Sequence, residues 1–478
     1  MANRTDAVVT RHGRVRPPCN EAQRGRAMER VDLLKRLSFG TQVAEDETRE
    51  LGTYFLETYQ WSQIAKGDID IVRGDKGAGK SAIYSLLIER ASEFFDKRIL
   101  IVGAENPRLA PVFKDLATEP PTSEAEFVVL WKLYIITVIC QKIREYGIKG
   151  AAAETAYKAL EDARMLEREF SLSGLLRTVQ EYARRLIKLE AFEGGIKLNE
   201  ATGMPEGITG RIVLREPERE LKERGLLSIA KLFSLVDGAL REYDFKAWVL
   251  LDRLDSAFTE NHDLEANALR ALFKAYLDMW GLSQISLKIF LREDIWTRIM
   301  ETGFRESSHL IRVAILEWSE RSLMNVLMKR ILSNRDMLNE FNLSADAILQ
   351  DFSKQEELFR RLFPEQVDQG PQKPKTFKWM VSRCADGTRK TVPREMIHLL
   401  NCLRDEQIRR LEQGGTAPEG DQLFERAVFK LALPTVSRTR LNQYLYAEYP
   451  DQKKFVAALE NVKTEQTVTQ LQSMLERL

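Results

Sequence analysis

A glycine-rich loop that ends in lysine and serine constrains this chain more than any other stretch. The loop, GDKGAGKS from Gly74 to Ser81, follows the alternating apolar run Asp68–Arg73 and precedes a helix-like run. Its glycines let the backbone curl until successive N–H groups point inward, and the following helix adds the positive end of its dipole. The pattern GxxxxGK[ST] between a strand and a helix therefore predicts a phosphate-binding loop, or P-loop; the alternative is a glycine-rich surface turn.

Individual residues of this loop have distinct expected roles in a nucleotide site. Lys80 is expected to reach the β- and γ-phosphates, and the Ser81 hydroxyl is expected to ligate Mg²⁺. The loop backbone supplies the rest of the anion cradle. The residues expected to contact the nucleotide are Gly74, Asp75, Lys76, Gly77, Ala78, Gly79, Lys80, Ser81 and Ala82.

Composition narrows the class of protein. Lys and Arg number 72 against 71 Asp and Glu, so net charge argues neither for nor against a nucleic-acid partner. The longest apolar stretch, Phe127–Ile139, contains Lys132 and is too short to span a bilayer, so no membrane partner is expected. The four cysteines and four histidines lack metal-ligand spacing, which disfavours a disulfide framework or zinc site and favours a cytoplasmic location.

Four segments are expected along the chain. Residues 1–27 carry six arginines and two prolines and are expected to form a disordered basic leader. An organellar presequence is the alternative reading, but the patterned sequence after Met28 favours an alternative start there. A P-loop domain is expected over 28–317. Beyond it, helical pattern predicts a lid at 318–415 and a small C-terminal unit at 416–478.

Apolar runs that alternate with helical pattern predict the fold. Beyond the run before the P-loop, strands are expected at Arg98–Val102, Ala247–Leu251, Ser286–Leu291 and Ile311–Leu316. Strands alternating with helices imply a parallel α/β sheet with helices on both faces. An insertion at 191–216 is expected to carry a β-hairpin outside the main sheet, because its run Ile208–Leu214 alternates and is bordered by glycines.

Acidic residues follow one of these predicted strands. Ala247–Leu251 leads directly into Asp252, the pattern of a Walker B strand, and Asp252 would hold Mg²⁺ through water. Buried strands also end in Asp for turn reasons, which is the alternative for Asp252. Asp255 is either a catalytic or supporting carboxylate or the N-cap of the next helix; both readings stay open.

Two arginines are candidates for sensing the γ-phosphate. Arg292 closes a predicted buried strand, where an unpaired guanidinium would be costly. A phosphate would be its partner, unless it forms a salt bridge with Glu293 or Asp294. Arg394 follows a proline at a predicted helix start and is expected to reach back to the nucleotide.

These motifs, in this order, resemble the ASCE branch of P-loop ATPases, which contains AAA+, STAND and origin-recognition-like ATPases. The matching stretches are GDKGAGKS, VLLDRLD, IFLRED, VAILEW and VPREMIHLL. From Phe39 to about Tyr449 the chain is also similar to a group of bacterial P-loop ATPases with DRLD at the Walker B strand. The resemblance implies ATP with Mg²⁺, sensor 1 at Arg292, sensor 2 at Arg394, a helical lid and a C-terminal helical or winged-helix unit.

One departure from the resemblance bears on activity. The glutamate that these ATPases usually place after the Walker B aspartate is Arg253 here, and arginine cannot act as a base near neutral pH. Either Asp255 or Glu105 must replace it, or hydrolysis is slow. Slow ATP hydrolysis suits a molecular switch better than a motor.

Two functions and one simpler alternative are therefore expected. The first is an ATP-dependent switch that forms a homo-oligomer or gates an effector protein, with anti-phage defence suggested by analogy alone. The second is an origin-recognition-like ATPase that binds DNA through Val436–Tyr444, a segment that is otherwise an ordinary solvated helix face. The simpler alternative is a nucleotide-binding scaffold without hydrolysis.

A third arginine would complete the active site of a neighbouring subunit. Arg305 lies between the Arg292 strand and the next predicted strand, where AAA+-like ATPases present an arginine finger. A solvated loop arginine is the alternative.

Overall fold

Two compact units make up the chain in this computed structural model. It describes residues 21–41, 48–105, 113, 120–121, 123–166, 171–191, 212–216, 219–223, 225–254, 262–301, 303–463 and 465–477. One unit, called the sheet unit, is built from residues 43–317; the other, called the helical unit, joins residues up to 42 with 318–478.

The sheet unit contains a five-stranded parallel sheet, which confirms the predicted α/β class. The strands are β1 (Ile71–Gly74), β2 (Ile99–Gly103), β3 (Ile212–Val213), β4 (Leu227–Ser228), β5 (Lys246–Leu251), β6 (Ile285–Arg292) and β7 (Val313–Leu316). The main sheet has the order β2-β5-β6-β1-β7, and all of its pairings are parallel. The boundaries differ from the predicted ones by up to three residues.

Among the described residues up to 317, most of those outside the strands belong to helices. They are α1 (Glu21–Arg36), α2 (Thr48–Tyr54), α3 (Tyr59–Lys66), α4 (Lys80–Glu89), α5 (Ala91–Asp96), α6 (Glu124–Glu145), α7 (Ala151–Asp162), α8 (Leu172–Ala191), α9 (Arg219–Glu223), α10 (Ile229–Glu242), α11 (His262–Asp278) and α12 (Glu293–Glu301). A short 3₁₀ helix, Arg305–His309, leads to β7. Only α1 belongs to the helical unit.

The two faces of the main sheet carry different helices. Side chains alternate along each strand, so Val249 and Leu251 of β5 join the large core made with α6, α7, α8, α10, α11 and α12. The alternate residues of β5, Trp248 and Leu250, lie on the other face of the sheet, which carries α4 and α5. On that side Trp248 packs on Phe94 of α5, and Phe290 of β6 packs on Tyr84 of α4. Helices on both faces were predicted, and burial on both sides explains the nearly continuous apolar strands.

A buried charge cluster lies at the start of β1, beside the middle of β6. The Asp70 carboxylate accepts hydrogen bonds from Lys288 Nζ at 2.8 Å and from the Tyr276 hydroxyl at 3.0 Å, and Arg312 Nη1 lies 3.2 Å away. Asp70 and Lys288 are 2% and 0% exposed. Desolvation lowers the pKa of Lys288, while the neighbouring Asp70 carboxylate opposes that shift. The ammonium also lies 4.4 Å from the centre of the Trp248 ring.

The insertion differs from its prediction. Residues 192–211, which include most of the run expected to form a hairpin, lie outside the described residues. The described part, β3, pairs in parallel with β4, whereas a hairpin requires antiparallel strands. The described strands β3 and β4 form a separate two-stranded sheet outside the main sheet.

The helical unit is built from helices throughout its described residues. They are α13 (Glu320–Leu332), α14 (Arg335–Glu340), α15 (Ala345–Leu349), α16 (Phe352–Leu362), α17 (Thr376–Cys384), α18 (Pro393–Glu412), α19 (Arg426–Thr439), α20 (Tyr446–Glu448), α21 (Lys453–Ala457) and α22 (Val468–Leu475), with a π-helical turn at Arg440–Leu445 and a 3₁₀ turn at Pro450–Gln452. No strand occurs between 318 and 463 or between 465 and 477. Of the two forms expected for the C-terminal unit, the helical one fits these residues.

The domain boundaries differ from the predicted ones. Helix α1 begins at Glu21, inside the segment expected to be a disordered leader, whereas residues 1–20 lie outside the described residues. Leu34 of α1 and Leu37, which directly follows the helix, are buried in the core of the helical unit, and Arg404 of α18 donates to the Leu37 carbonyl at 3.1 Å. The expected lid and C-terminal unit share this one core, which runs on to Val436.

Candidate functional site

The carboxyl ends of β1 and β6 form a topological switch point. Gly74 at the end of β1 is in register with Arg292 at the end of β6. Helix α4 follows β1 on one face of the sheet, whereas α12 follows β6 on the other, where its Trp296 packs on Phe273 of α11. In open parallel sheets, ligands bind in the crevice where neighbouring connections diverge in this way. The glycine-rich loop lies at this crevice.

The loop conformation depends on its glycines. Gly77 and Gly79 have φ angles of 85° and 102°, which side-chain-bearing residues rarely adopt. A Cβ on Gly74 would lie 3.1 Å from Leu316 Cβ and 3.3 Å from Ala78 Cβ. Gly79 is the N-cap of α4 and offers no side chain to its first N–H groups. These groups therefore point at the space in front of the helix.

Lys80 lies inside the curl of this loop. Its Nζ donates to the Gly74 carbonyl at 2.8 Å and to the Asp75 carbonyl at 3.0 Å, and the residue is 8% exposed. A buried ammonium next to the positive end of a helix favours an anion at the same place. Ser81 and Ala82 follow on the first turn of α4 and are half-buried. The loop thus has the geometry of an anion cradle.

Two buried carboxylic residues lie at the ends of β5 and β2. Asp252 follows β5 and is 4% exposed; Glu105 follows β2 and is 2% exposed. Gly103 is in register with Leu250, and the Ala104 N–H extends the ladder by donating to the Leu250 carbonyl at 3.0 Å. Since both positions lie two residues beyond this pair, Glu105 is level with Asp252.

Tyrosines hold the backbone beside these carboxylates. The Tyr84 hydroxyl donates to the Glu105 carbonyl at 2.6 Å, and the Tyr134 hydroxyl donates to the Ala104 carbonyl at 2.7 Å. Burial raises the pKa of Tyr84 far above its usual value, and the charges of Asp252 and Glu105 raise it further. Burial and the Glu105 charge also raise the pKa of Tyr134. Both phenols therefore stay protonated and can donate.

Tyr84 was missed by the sequence reasoning, although a signal was present. It lies four residues after Lys80, so both side chains project from the same face of α4. A polar aromatic residue one turn behind a P-loop lysine could have been identified as a neighbour of the phosphate site.

Arg292 has a partner within its own segment. Its Nε and Nη2 donate to the two carboxylate oxygens of Asp294 at 3.0 and 2.8 Å, the salt bridge that was the alternative to a sensor role. Burial alone would raise the pKa of Asp294, but the hydrogen bonds and charge of Arg292 bring it below its usual value. The register with Gly74 still places Arg292 beside the loop, and its sensor role stays a prediction.

Arg305 lies on the connection that returns from β6 to β7. Arg298 of α12 pairs with Glu265 near the start of α11 at 2.8 Å, and Glu306 pairs with Lys274 near its end at 3.4 Å. The connection therefore runs alongside α11 for about 13 Å, away from the carboxyl edge of the sheet. Arg305 is exposed there, so it does not join the loop of its own chain.

The other predicted residues belong to the helical unit or lie outside the described residues. Asp255 is not among the described residues. Arg394 is half-buried on the first turn of α18 in the helical unit, directly after Pro393, which confirms the predicted helix start. In the segment proposed for DNA, Arg440 lies 3.5 Å from Glu395 and donates to the Ala385 carbonyl at 3.2 Å. That arginine is therefore engaged within its own unit.

The chain was compared with protein families, curated proteins and solved structures. No protein-family model, curated protein or solved structure matches the chain. No helix of the described residues combines the length and apolar character needed to cross a membrane. Groups of three or more His, Cys, Asp and Glu side chains that could hold a metal are also absent from the described residues.

Proposed function

We propose that the chain binds ATP with Mg²⁺ at the glycine-rich loop and hydrolyses it slowly, acting as a nucleotide-dependent switch. One observation carries the proposal: Lys80 is buried in a loop curled at the N-terminus of α4, at the switch point between β1 and β6. An inward-facing ammonium and the positive end of a helix dipole at one place fit a polyphosphate.

The residues present fit a magnesium ion bound together with phosphate. The Ser81 hydroxyl, on the first turn of α4, and the Asp252 carboxylate at the end of β5 are the oxygen donors that would hold it. Magnesium usually takes its other ligands from water and substrate phosphates, so no larger cluster of acidic residues is required. When bound, the ion would neutralise charge on the β- and γ-phosphates.

A slow rate is proposed because the residue after Asp252 is Arg253, so any carboxylate that activates water has to come from another part of the site. A protein that hydrolyses ATP slowly keeps it bound for longer. This suits a switch that assembles with further copies or with an effector protein. The DNA-binding alternative is not advanced, because Arg440 of the proposed recognition segment is occupied by Glu395 and Ala385.

Calorimetric titration of the full chain with ATP and Mg²⁺ tests the proposal. Lys80→Ala is expected to weaken ATP binding roughly ten- to a hundredfold, because a hydrogen bond to a charged group contributes about 1.5–3 kcal/mol. Lys97→Ala, an exposed lysine after α5, is the matched control and should leave the affinity unchanged. Equal ATP affinity in the wild type and Lys80→Ala would contradict the P-loop assignment.

A further inference from the structure

The backbone turns sharply directly after Asp252. Arg253 has a φ of 55°, in the left-handed region that side-chain-bearing residues occupy at a cost of about 1–2 kcal/mol. Its neighbours Asp252 and Leu254 are 4% and 2% exposed, so buried residues on both sides fix this turn. Residue 253 therefore does not continue β5, and a side chain there does not extend the row of strand residues beside the loop.

The neighbouring strand supplies a carboxylate at the right level. Glu105 is level with Asp252 by the register of β2 and β5. Alternation along β2 puts Ile101 and Gly103 on the face that carries α4, and Glu105 follows Gly103 by two residues. Asp252 lies on the same face, two residues after Leu250. Both carboxylates act on the Tyr84 hydroxyl of α4, because their charges raise its pKa.

Helix α4 holds Glu105 in place from the phosphate side. Tyr84, one turn after Lys80, donates to the Glu105 carbonyl, and Tyr134 of α6 donates to the preceding carbonyl. The approach is close: a Cβ on Gly103 would lie 3.0 Å from Ile88 Cδ1 and 3.3 Å from the Tyr84 hydroxyl oxygen. The position of Glu105 is therefore coupled to the helix whose N-terminus would receive the phosphates.

We propose that Glu105, held level with Asp252 by the hydroxyls of Tyr84 and Tyr134, is the carboxylate that activates the attacking water. This inference rests on the proposed ATPase function. The Glu105 carboxylate accepts a proton as the water oxygen forms a bond to the γ-phosphorus. The bond between that phosphorus and the β,γ-bridging oxygen breaks, ADP leaves with the electron pair, and the proton passes from Glu105 to solvent. Tyr84 and Tyr134 are positioning residues.

Glu105→Gln tests the assignment while preserving size and hydrogen-bonding capacity. Turnover is expected to fall by a factor of roughly 10²–10⁴, the usual contribution of a general base. The ATP affinity by calorimetry should stay within about twofold of the wild type, since Lys80 and the loop are intact. Acid quench of the loaded protein should recover ATP rather than ADP. Glu93→Gln, an exposed glutamate on α5, is the matched control.

Arg253→Glu tests the alternative in which the catalytic carboxylate directly follows the Walker B aspartate, Asp252. Placed in the Glu105→Gln background, it should not restore turnover, because residue 253 leaves the strand. Restored turnover, or a Glu105→Gln protein as active as the wild type, would overturn the proposal. A parallel loss of ATP affinity would also overturn it, by assigning Glu105 to ligand binding. Failure of the wild type to bind ATP is a different result, which removes the proposed function itself.

Tyr84→Phe keeps the test decisive if Glu105→Gln does not fold. The variant retains the ring that packs on Phe290 and removes only the hydroxyl that holds the Glu105 carbonyl. We expect a lower kcat with an unchanged KM, the pattern of an interaction needed in the transition state. An unchanged kcat would overturn the positioning role of Tyr84 and, with it, the proposed coupling.

Discussion

Asp70→Asn is expected to destabilise the sheet unit by about 3–5 kcal/mol, the usual effect of removing one partner from a buried ion pair. The replacement leaves the Lys288 ammonium, 0% exposed, without its counter-charge and also weakens the pairing with Arg312. Because the chain has two compact units, a single unfolding curve would mix two transitions. Amide hydrogen exchange of β1 and β6 reports the sheet unit alone, and exchange of α18 serves as an internal reference.

Two further variants distinguish a charge effect from a general packing effect. Glu223→Gln disrupts an exposed pair with Arg219, whose side chains are 67% and 92% exposed, and should leave exchange of β1 unchanged. Joint replacement, Asp70→Leu with Lys288→Met, should cost less than Asp70→Asn alone, since no charge then stays buried without its partner. Equal exchange of β1 in Asp70→Asn and Glu223→Gln would show that the pair is energetically unimportant.

The same pair shows where sequence reasoning reached its limit for the fold. The strand prediction succeeded because β5 and β6 are apolar on both faces. A short apolar run of this kind can be recognised from the neighbouring residues in the sequence alone. Lys288 interrupts such a run, and its partner Asp70 lies 218 residues away along the chain. Only the pairing of β1 with β6 brings them together.

The domain boundary was missed for a related reason. The apolar positions of α1 predict a helix but do not specify which core it enters. Asn334 and Asn401, far along the chain, fix the end of this segment: Asn334 accepts from the Ser38 N–H at 2.9 Å, and Asn401 donates to the Gly40 carbonyl at 2.8 Å. Such long-range hydrogen bonds leave no local pattern in the sequence.

The candidate site was predictable to different degrees. Lys80 and Ser81 follow from a local motif whose spacing specifies the backbone. Asp252 follows from its place after a buried strand. Glu105 was identified as one of two alternatives, because its place beside Asp252 depends on the order of the strands and not on the neighbouring residues. The left-handed turn at Arg253 has no sequence signal, since arginine seldom adopts that conformation.

Arg305→Ala is expected to lower ATP turnover by a factor on the order of 10³ or more, while ATP affinity stays nearly unchanged. An arginine that contacts the transferring phosphoryl group spreads positive charge over it in the transition state. The ion pairs of Arg298 and Glu306 along α11 carry Arg305 away from the loop of its own chain, so it can act only on a neighbouring copy. Specific activity should therefore rise with protein concentration. Arg215→Ala, an exposed arginine near β3, is a suitable control.

Mixing two inactive variants decides whether the site is completed between subunits. Asp252→Ala protein lacks the proposed magnesium-holding carboxylate but keeps Arg305, and Arg305→Ala protein keeps Asp252. A mixed interface can join the intact Asp252 of one subunit to the intact Arg305 of the next, so the mixture should be more active than either variant alone. If Arg305 is an ordinary solvated residue, Arg305→Ala will retain wild-type turnover, activity per molecule will not depend on concentration, and mixing will restore nothing. Catalysis would then be completed within one chain, by its own Glu105 and Asp252.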